Sequence, residues 1–362
     1  MTVSEIEILI KKAAKDYYNG NESMSDADYD ALIAQLKTLD PSNPLCANGL
    51  ASEEDGESET KVKHNLTTGT LAKCADADAL NDWVSNKSAD EYELSMKIDG
   101  SGIELVYKNG IFTQAITRGN GETGLDRTKT LSEIPFVKKL NTDFTGSIRA
   151  EMVINNSDFE ARFSDKANPR NAVAGIINRK FDSLTPAQKA DLKYIHVISY
   201  DVMGIDFEKQ TDLTNWLRNE KFETPKTVTV PRKDLVKLAG KLRDDLPNLI
   251  KSGELAYNCD GIVIKQNKID RADRQRRTPL NDVALKPELE QAVSEIIDIE
   301  WSLSGKILSP VVIVKPVNLE GTTVQRASVA NLSIMMNKGI EIGKLAVIQK
   351  SGQIIPYITK VL

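Results

Sequence analysis

Residues 95–105 read SMKIDGSGIEL. In an extended chain residues two apart share a face, so Lys97 and Asp99 project together while Met96 and Ile98 turn the other way into a core. Gly100 then lets the backbone turn or approach another group closely. A solvated strand end would look the same, so this stretch alone leaves structure and chemistry both open. Three further segments repeat the arrangement. In SIRAEMVI (147–154), Arg149 and Glu151 share a face opposite Ile148, Ala150 and Met152. CDGIVIK (259–265) runs through an apolar strand to Lys265, and DVALKPE (282–288) does the same to Lys286. Together such strands supply three lysines and two carboxylates.

A chain of 362 residues fits two or three domains, since domains commonly run about 100–150 residues. The 47 basic and 52 acidic residues leave a net charge of −5, so any nucleic-acid contact must come from local patches rather than a global positive field. One such strip is DRADRQRR at 270–277. Cys46, Cys74 and Cys259 lie far apart without CxxC spacing, which argues against a zinc site or a disulfide framework. The chain therefore reads as intracellular, with the cytoplasm as the expected location. No apolar run is long enough to span a bilayer, so no membrane partner is expected. With only His64 and His196 in the chain, lysines and carboxylates must carry most of any catalysis.

Residues 3–39 place Ile6, Leu9 and Ile10, then Leu32, Ile33 and Leu36, at helical spacing around a polar break, which predicts two helices. The acidic stretch LASEEDGESET (50–60) reads as a linker or loop. In IELVYKNGIFTQAIT (103–117), Asn109-Gly110 between two β-rich runs predicts a hairpin. GSIRAEMVI and CDGIVIKQ read as strands; DALNDWVSNK, DFEARF, TPAQKADL and RKDLVKLAGKLRDDL read as helices. The pattern is α+β rather than regular βαβ alternation. After about residue 293 short strands broken by Gly and Pro predict a small β-barrel, with an oligonucleotide-binding barrel among the candidates.

Lysines gathered at one point repel one another unless an anion lies between them, and that repulsion would lower the pKa of one that must act as a nucleophile. An ordinary lysine, with pKa about 10.4, is almost wholly protonated at neutral pH. A phosphate-binding site that activates one lysine for attack on phosphorus would account for the cluster.

KIDG (97–100), IRAE (148–151), DGIVIK (260–265) and VALK (283–286), in that order and spacing, resemble the successive motifs of the nucleotidyltransferase domain of covalent ligases. ITRGNGETG (116–124), ANPRNAVAG (167–175) and YYNGNESMSDADYD (17–30) are similar to features of the NAD-dependent DNA ligases. GKILSPVVIVKPV (305–317) and GQIIPYITKV (352–361) resemble that family's OB-fold. The resemblance implies an α+β fold: a helical NMN/NAD-binding module at 1–60, an ATP-grasp-like nucleotidyltransferase (adenylation) domain at 61–292 and an OB-fold barrel at 293–362.

By the same resemblance Lys97 is the nucleophile that takes AMP from NAD, and Glu151 holds the adenosine ribose. Arg118 and Asp99 line the nucleotide site, and Lys265 and Lys286 steady the phosphates. Tyr17, Tyr18, Asp26, Tyr29 and Asp30 face the nicotinamide end, although tyrosines there would equally suit packing between helices. Asp99 and Glu151 would hold Mg²⁺, and Arg170 and Arg326 would contact DNA. The expected partner is nicked double-stranded DNA, sealed through a 5′-adenylylated intermediate.

Some features depart from the family's pattern. Ser95 stands two before the nucleophile where an acidic residue is usual, so that role would shift to Glu93 or be altered. Asn178 stands where an arginine is expected, with Arg179 one position late. No four-cysteine module is present, so a short form of the family is expected, either sealing alone or as an adenylating subunit that needs a second ligase chain. GNGETG (119–124) also satisfies G-x-G-x-x-G, but it follows a hairpin arm rather than opening a βαβ unit, and LDRTKTLSEIP beyond it reads as a poor helix. That context argues against a dehydrogenase. A binding protein without catalysis would need none of the converging lysines and carboxylates.

Overall fold

The computed structural model describes residues 2–18, 24, 26–40, 43, 45, 61–65, 69–166, 168–286, 291–304, 307–319, 322–329, 332–351 and 355–362. The expected linker at 50–60 and Cys46 lie outside them. The chain divides into two units, Glu54–Pro287 and a second made of Met1–Glu53 with Glu288–Leu362.

The first unit contains strands β1 (Lys61–Lys63), β2 (Ala72–Cys74), β3 (Glu91–Ile98), β4 (Ser101–Lys108), β5 (Ile111–Thr117), β6 (Thr123–Leu125), β7 (Gly146–Ile154), β8 (Ile195–Met203), β9 (Thr227–Pro231), β10 (Cys259–Gln266) and β11 (Asp282–Leu285). They form a five-stranded sheet in the order β2-β11-β10-β3-β9, a four-stranded sheet in the order β5-β4-β7-β8, and a small β1-β6 pair. The chain crosses from the first sheet to the second between Ile98 and Ser101, inside the stretch SMKIDGSGIEL. Gly100 makes the crossing fit: a Cβ there would lie 2.3 Å from the Met152 carbonyl oxygen and 2.5 Å from Val153 Cγ1 on β7. Lys97 and Asp99 therefore sit at the junction of two sheets.

Each sheet buries one face against helices. Leu94, Met96, Ile262 and Ile264 pack with Leu80 and Val84 of helix Ala77–Ser85 and with Leu235, Ala239 and Leu246 of helix Leu235–Lys251. Ile148, Ala150, Met152 and Ile154 pack with Val173, Ile176 and Ile177 of helix Pro169–Ile177 and with Leu213 and Leu217 of helix Gln210–Asn219. Each such side chain, fully buried, contributes about 2 kcal/mol. By strand alternation Glu93, Ser95, Lys97, Arg149 and Glu151 point away from these cores.

Local signals explain several element ends. Asn109 and Gly110 adopt φ of 50° and 73°, the positive values a tight hairpin between twisted strands requires. In ANPRN, the Asn168 side chain accepts from the Asn171 N–H and Pro169 occupies the first helical turn, so a motif singled out for function is also a helix start. LDRTKTLSEIP contains a short helix, Thr128–Glu133, with Leu131 fully buried, contrary to the poor helix expected. β8, β9 and helix Gln210–Asn219 went unassigned in the sequence because their turn and periodicity signals are weak.

In the second unit, β12 (Ala292–Ser304), β13 (Ile307–Leu319), β14 (Thr322–Ser328), β15 (Leu345–Ser351) and β16 (Ile355–Val361) close a barrel in the order β12-β13-β14-β16-β15. Helix Leu332–Asn337 lies between β14 and β15 in the chain. Ile296, Val312, Val314, Val324, Ile348 and Ile358 fill the interior, as the predicted barrel requires. Helices Val3–Tyr18 and Asp26–Leu39 bury Ile6, Ile10, Leu32 and Leu36 against each other. Lys338 Nζ lies 2.8 Å from Asp28 Oδ1.

Candidate active site

β10 carries a register shift against β3 between Cys259 and Ile262. Gly261 sits in it, where a Cβ would lie 2.5 Å from the Leu285 carbonyl oxygen. The bulge re-aims the start of the strand, and Asp260 meets Lys97: Lys97 Nζ is 2.7 Å from Asp260 Oδ1 and 3.0 Å from Oδ2. Lys286 Nζ, one residue beyond β11, lies 3.0 Å from Asp260 Oδ2. One carboxylate thus separates two ammonium groups. Arg170 Nη1, from the helix that Asn168 caps, donates to Asp99 Oδ1 at 3.0 Å.

The charge balance differs from the one expected. Burial alone would depress the Lys97 amine, but Asp260, then Asp99 and Glu151, outweigh it and hold the amine above the ordinary lysine range. Surrounding positive charge does not lower it; the nearest partners are carboxylates. Asp260 is the converse case: burial would raise it, and Lys97 and Lys286 hold it below the ordinary aspartate range. Burial pushes the Glu151 carboxyl up to about 7, against the opposing pull of Lys97 and Arg118. Arg118 lies beside Glu151, and both approach the place where a Gly102 side chain would stand. The Arg118 guanidinium donates from Nη2 to the Gly69 carbonyl at 3.1 Å and to the Thr70 hydroxyl at 3.2 Å.

Lys97, Asp99, Arg118, Glu151 and Lys286 are therefore neighbours, and Arg170, expected as a DNA contact, joins them through Asp99. Lys265 stands apart, two alternate positions along the strands. Its cross-strand neighbours are Glu93 on β3 and Asp282 on β11, and its Nζ lies 6.0 Å from the Tyr200 ring centroid. Burial pushes the Asp282 carboxyl up to about 6. Beside them Asp201 binds Arg149 at 3.2 Å and also binds Arg274. Arg274 belongs to the basic strip 270–277, and Arg277 Nη2 donates to the Asn120 carbonyl. The strip is thus partly consumed inside the protein rather than presented as a continuous surface for DNA. Glu93, to which an acidic role could have shifted, is buried and accepts from the Thr214 hydroxyl at 3.1 Å on both oxygens.

Asn178 ends helix Pro169–Ile177, and its backbone carbonyl accepts from Arg127 Nη2 at 2.9 Å, a contact any residue there would offer. In the other unit Tyr29 is partly buried against the helix-pair core. Tyr17, Tyr18, Asp26 and Asp30 have helical backbones, but their side chains lie outside the described residues. Arg326 on β14 is an exposed barrel residue 2.7 Å from Glu300 Oε2. Among the described residues no group of three or more His, Cys, Asp or Glu is arranged to hold a metal. The oxygen donors Asp99 and Glu151 do suit Mg²⁺, which usually takes one or two carboxylates and completes its shell with water and substrate phosphate.

Asp260 was not singled out from the sequence as a site residue. A signal was present: CDG before an apolar run repeats the Asp-Gly pair of KIDG at the sister strand. Tyr200 had no such signal, because a single tyrosine in a strand reads as core.

The family model for the NAD-dependent DNA ligase adenylation domain matches residues 57–282, and that for the NAD-dependent DNA ligase OB-fold domain matches residues 293–362. A DNA ligase of Treponema denticola is 32% identical over 98% of this chain and 56% of its own length. One of Treponema pallidum is 31% identical over 98% of this chain and 44% of its own. One of Bacillus subtilis is 30% identical over 99% of this chain and 56% of its own. The chain thus spans about half the length of the curated relatives it matches. No described helix is long and apolar enough to cross a membrane. With both family domains in sequence along it, and the lysine and carboxylate constellation in the first, the chain belongs to the NAD-dependent DNA ligase family.

Proposed function

We propose that this protein is an NAD-dependent DNA ligase in which Lys97 becomes covalently adenylylated. The observation that carries the reading is the single Asp260 carboxylate shared by Lys97 and Lys286 at the junction of the two sheets, with Asp99, Glu151, Arg118 and Arg170 around it. In the first step the Lys97 amine, after giving up its proton to bulk water, attacks the α-phosphorus of NAD. An N–P bond forms and the P–O bond to nicotinamide mononucleotide breaks. Nicotinamide mononucleotide departs with the bridging oxygen, and Tyr29 with the Tyr17, Tyr18, Asp26 and Asp30 positions make up the motif that the family resemblance assigns to the nicotinamide end. Lys286 is free to leave Asp260 for the phosphoryl oxygens, and Lys265 meets the nucleotide from the Tyr200 side. Glu151 holds the ribose.

AMP then passes to the 5′-phosphate of nicked DNA. The adjacent 3′-hydroxyl displaces it and closes the strand, with Arg170 and Arg326 as DNA contacts. Chemistry of this kind rests on positioning and electrostatics, which lysines and carboxylates supply without histidine. Asp99 and Glu151 would hold Mg²⁺, which when bound neutralises charge on the phosphoryl oxygens.

Intact mass after incubation with NAD, and separately with ATP, tests this. A gain of one adenylyl group with NAD alone supports it; no gain, or a gain with ATP only, overturns it. Sealing of nicked duplex by the chain alone then separates a self-sufficient ligase from an adenylating subunit.

A further inference from the structure

His64 and Glu104 form a buried pair outside the reacting cluster, with side chains 1% and 2% exposed. His64 Nδ1 lies 2.5 Å from Glu104 Oε2, and Nε2 lies 3.1 Å from the backbone oxygen of Arg118. Both ring nitrogens face oxygen acceptors, whereas a neutral imidazole donates from one nitrogen only. The Glu104 carboxylate meets donors on each side: the Asn65 N–H reaches Oε1 at 3.3 Å, and the Ser147 hydroxyl also bonds it. Ser147 Oγ accepts from Asn65 Nδ2 at 2.9 Å, which leaves its own proton for Glu104. The imidazole thus bridges a carboxylate and a peptide carbonyl.

Replacing both partners of a buried hydrogen bond by apolar groups of the same shape can be nearly neutral or stabilising, so stability alone gives little reason for this pair. Its surroundings suggest another. β1 pairs with β6, and the His64 N–H donates to the Glu122 carbonyl at 2.9 Å. The Arg118 N–H donates to Gly102, and its carbonyl takes His64 on one side and the Gly121 N–H on the other. Its guanidinium is held by Gly69 and Thr70, a few residues beyond His64.

We propose that His64 and Glu104 are positioning residues that pin the backbone of Arg118, fixing its guanidinium beside Glu151 in the nucleotide site. His64 and Asn65, with Gly69 and Thr70, thereby flank that site rather than merely connecting elements. This role rests on the ligase reading above.

The test is an NAD titration of lysyl-AMP formation, followed by intact mass, together with thermal melting. The apolar double variant His64→Phe/Glu104→Leu fills the volume without polar demands. It is expected to melt near the wild type, to need about tenfold more NAD for half-saturation, the size of one lost charge-assisted hydrogen bond, and to keep its maximal rate. Glu104→Gln, which keeps the shape, is expected to raise half-saturating NAD in the same direction, and to do so no longer in an Arg118→Ala background. Unchanged half-saturation in either variant, or an undiminished effect of Glu104→Gln without the Arg118 side chain, overturns the role. A wild-type chain that takes no adenylyl group from NAD overturns the ligase reading and this role together, whereas a responsive wild type with unaffected variants overturns this role alone.

Discussion

Two ionic clusters lie between the same pair of sheets, one around Lys97 and one around Lys265. At the first, Lys97 and Lys286 share one aspartate, and Lys97 and Asp260 are each 28% exposed. At the second, Asp201 and Arg274 are 9% and 16% exposed, and the acceptors outnumber what Lys265 alone could satisfy. On the proposed reading, the first cluster exchanges a carboxylate partner for an incoming phosphate. The second is multiply bonded through Asp201, which holds both Arg149 and Arg274, so that moving it breaks two ion pairs. On the ligase reading both clusters touch the nucleotide, the first through Lys97 and Lys286 and the second through Lys265, while the Asp201–Arg274 pair beside Lys265 is the less exposed and ties the sheets to the 270–277 strip.

The sharpest way to break this comparison is Lys97→Ala. It is expected to abolish the adenylyl mass gain while melting as the wild type does; persistent adenylylation would move the reactive centre elsewhere. Next is Asp260→Asn. Asp260 raises the Lys97 pKa, so the free-amine fraction, and the rate of lysyl-AMP formation, climbs as pH rises. Removing the carboxylate should shift that climb to lower pH and, by freeing both lysines from their common anchor, slow the reaction about 100-fold at neutral pH. A pH profile that stays in place would show that Asp260 does not control the amine.

At the other cluster the order of effects should reverse. Arg274→Met leaves Asp201 with less compensation and is expected to cost about 3 kcal/mol in urea unfolding while the folded chain still reacts with NAD. Loss of reaction without loss of stability would merge the two clusters into one functional site. The smallest effect is predicted for Asp282. Its carboxyl is pushed up to about 6 from an ordinary 3.8, so the native state holds the proton more tightly, and stability falls as pH rises from about 4 to 6. Asp282→Asn removes that fall. It should melt about 3 °C higher than the wild type at pH 7 and no higher at pH 4, as expected for about 1 kcal/mol in a unit of this size. An equal difference at both pH values would refute the linkage.

The fold was legible wherever a local rule has one physical cause. Asn109-Gly110 announced its hairpin because few residues tolerate positive φ, and the spacing of Ile6, Ile10, Leu32 and Leu36 announced two helices that must cover each other. β8 and β9 were illegible for the opposite reason: their pairing partners lie far away in sequence, and nothing local marks their ends. Lys97 and Glu151 stand out in the sequence because alternation puts them on the polar faces of otherwise apolar strands, and Lys286 because it follows the apolar run of β11 directly. Asp260 was passed over because its position depends on a bulge that no alternation rule contains.

The sequence by itself determined which residues face away from the cores and where the chain turns, and it pointed to lysines and carboxylates as the groups available for chemistry. Only the tertiary structure decided which lysine stands beside which carboxylate, and so the sign of the shift at Lys97: repulsion among lysines was the expectation, and attraction to Asp260, Asp99 and Glu151 is what the fold provides. The reason is physical. Facing is a property of one strand's period, whereas electrostatic interaction falls with distance and is set by how two sheets and a bulge bring remote charges together.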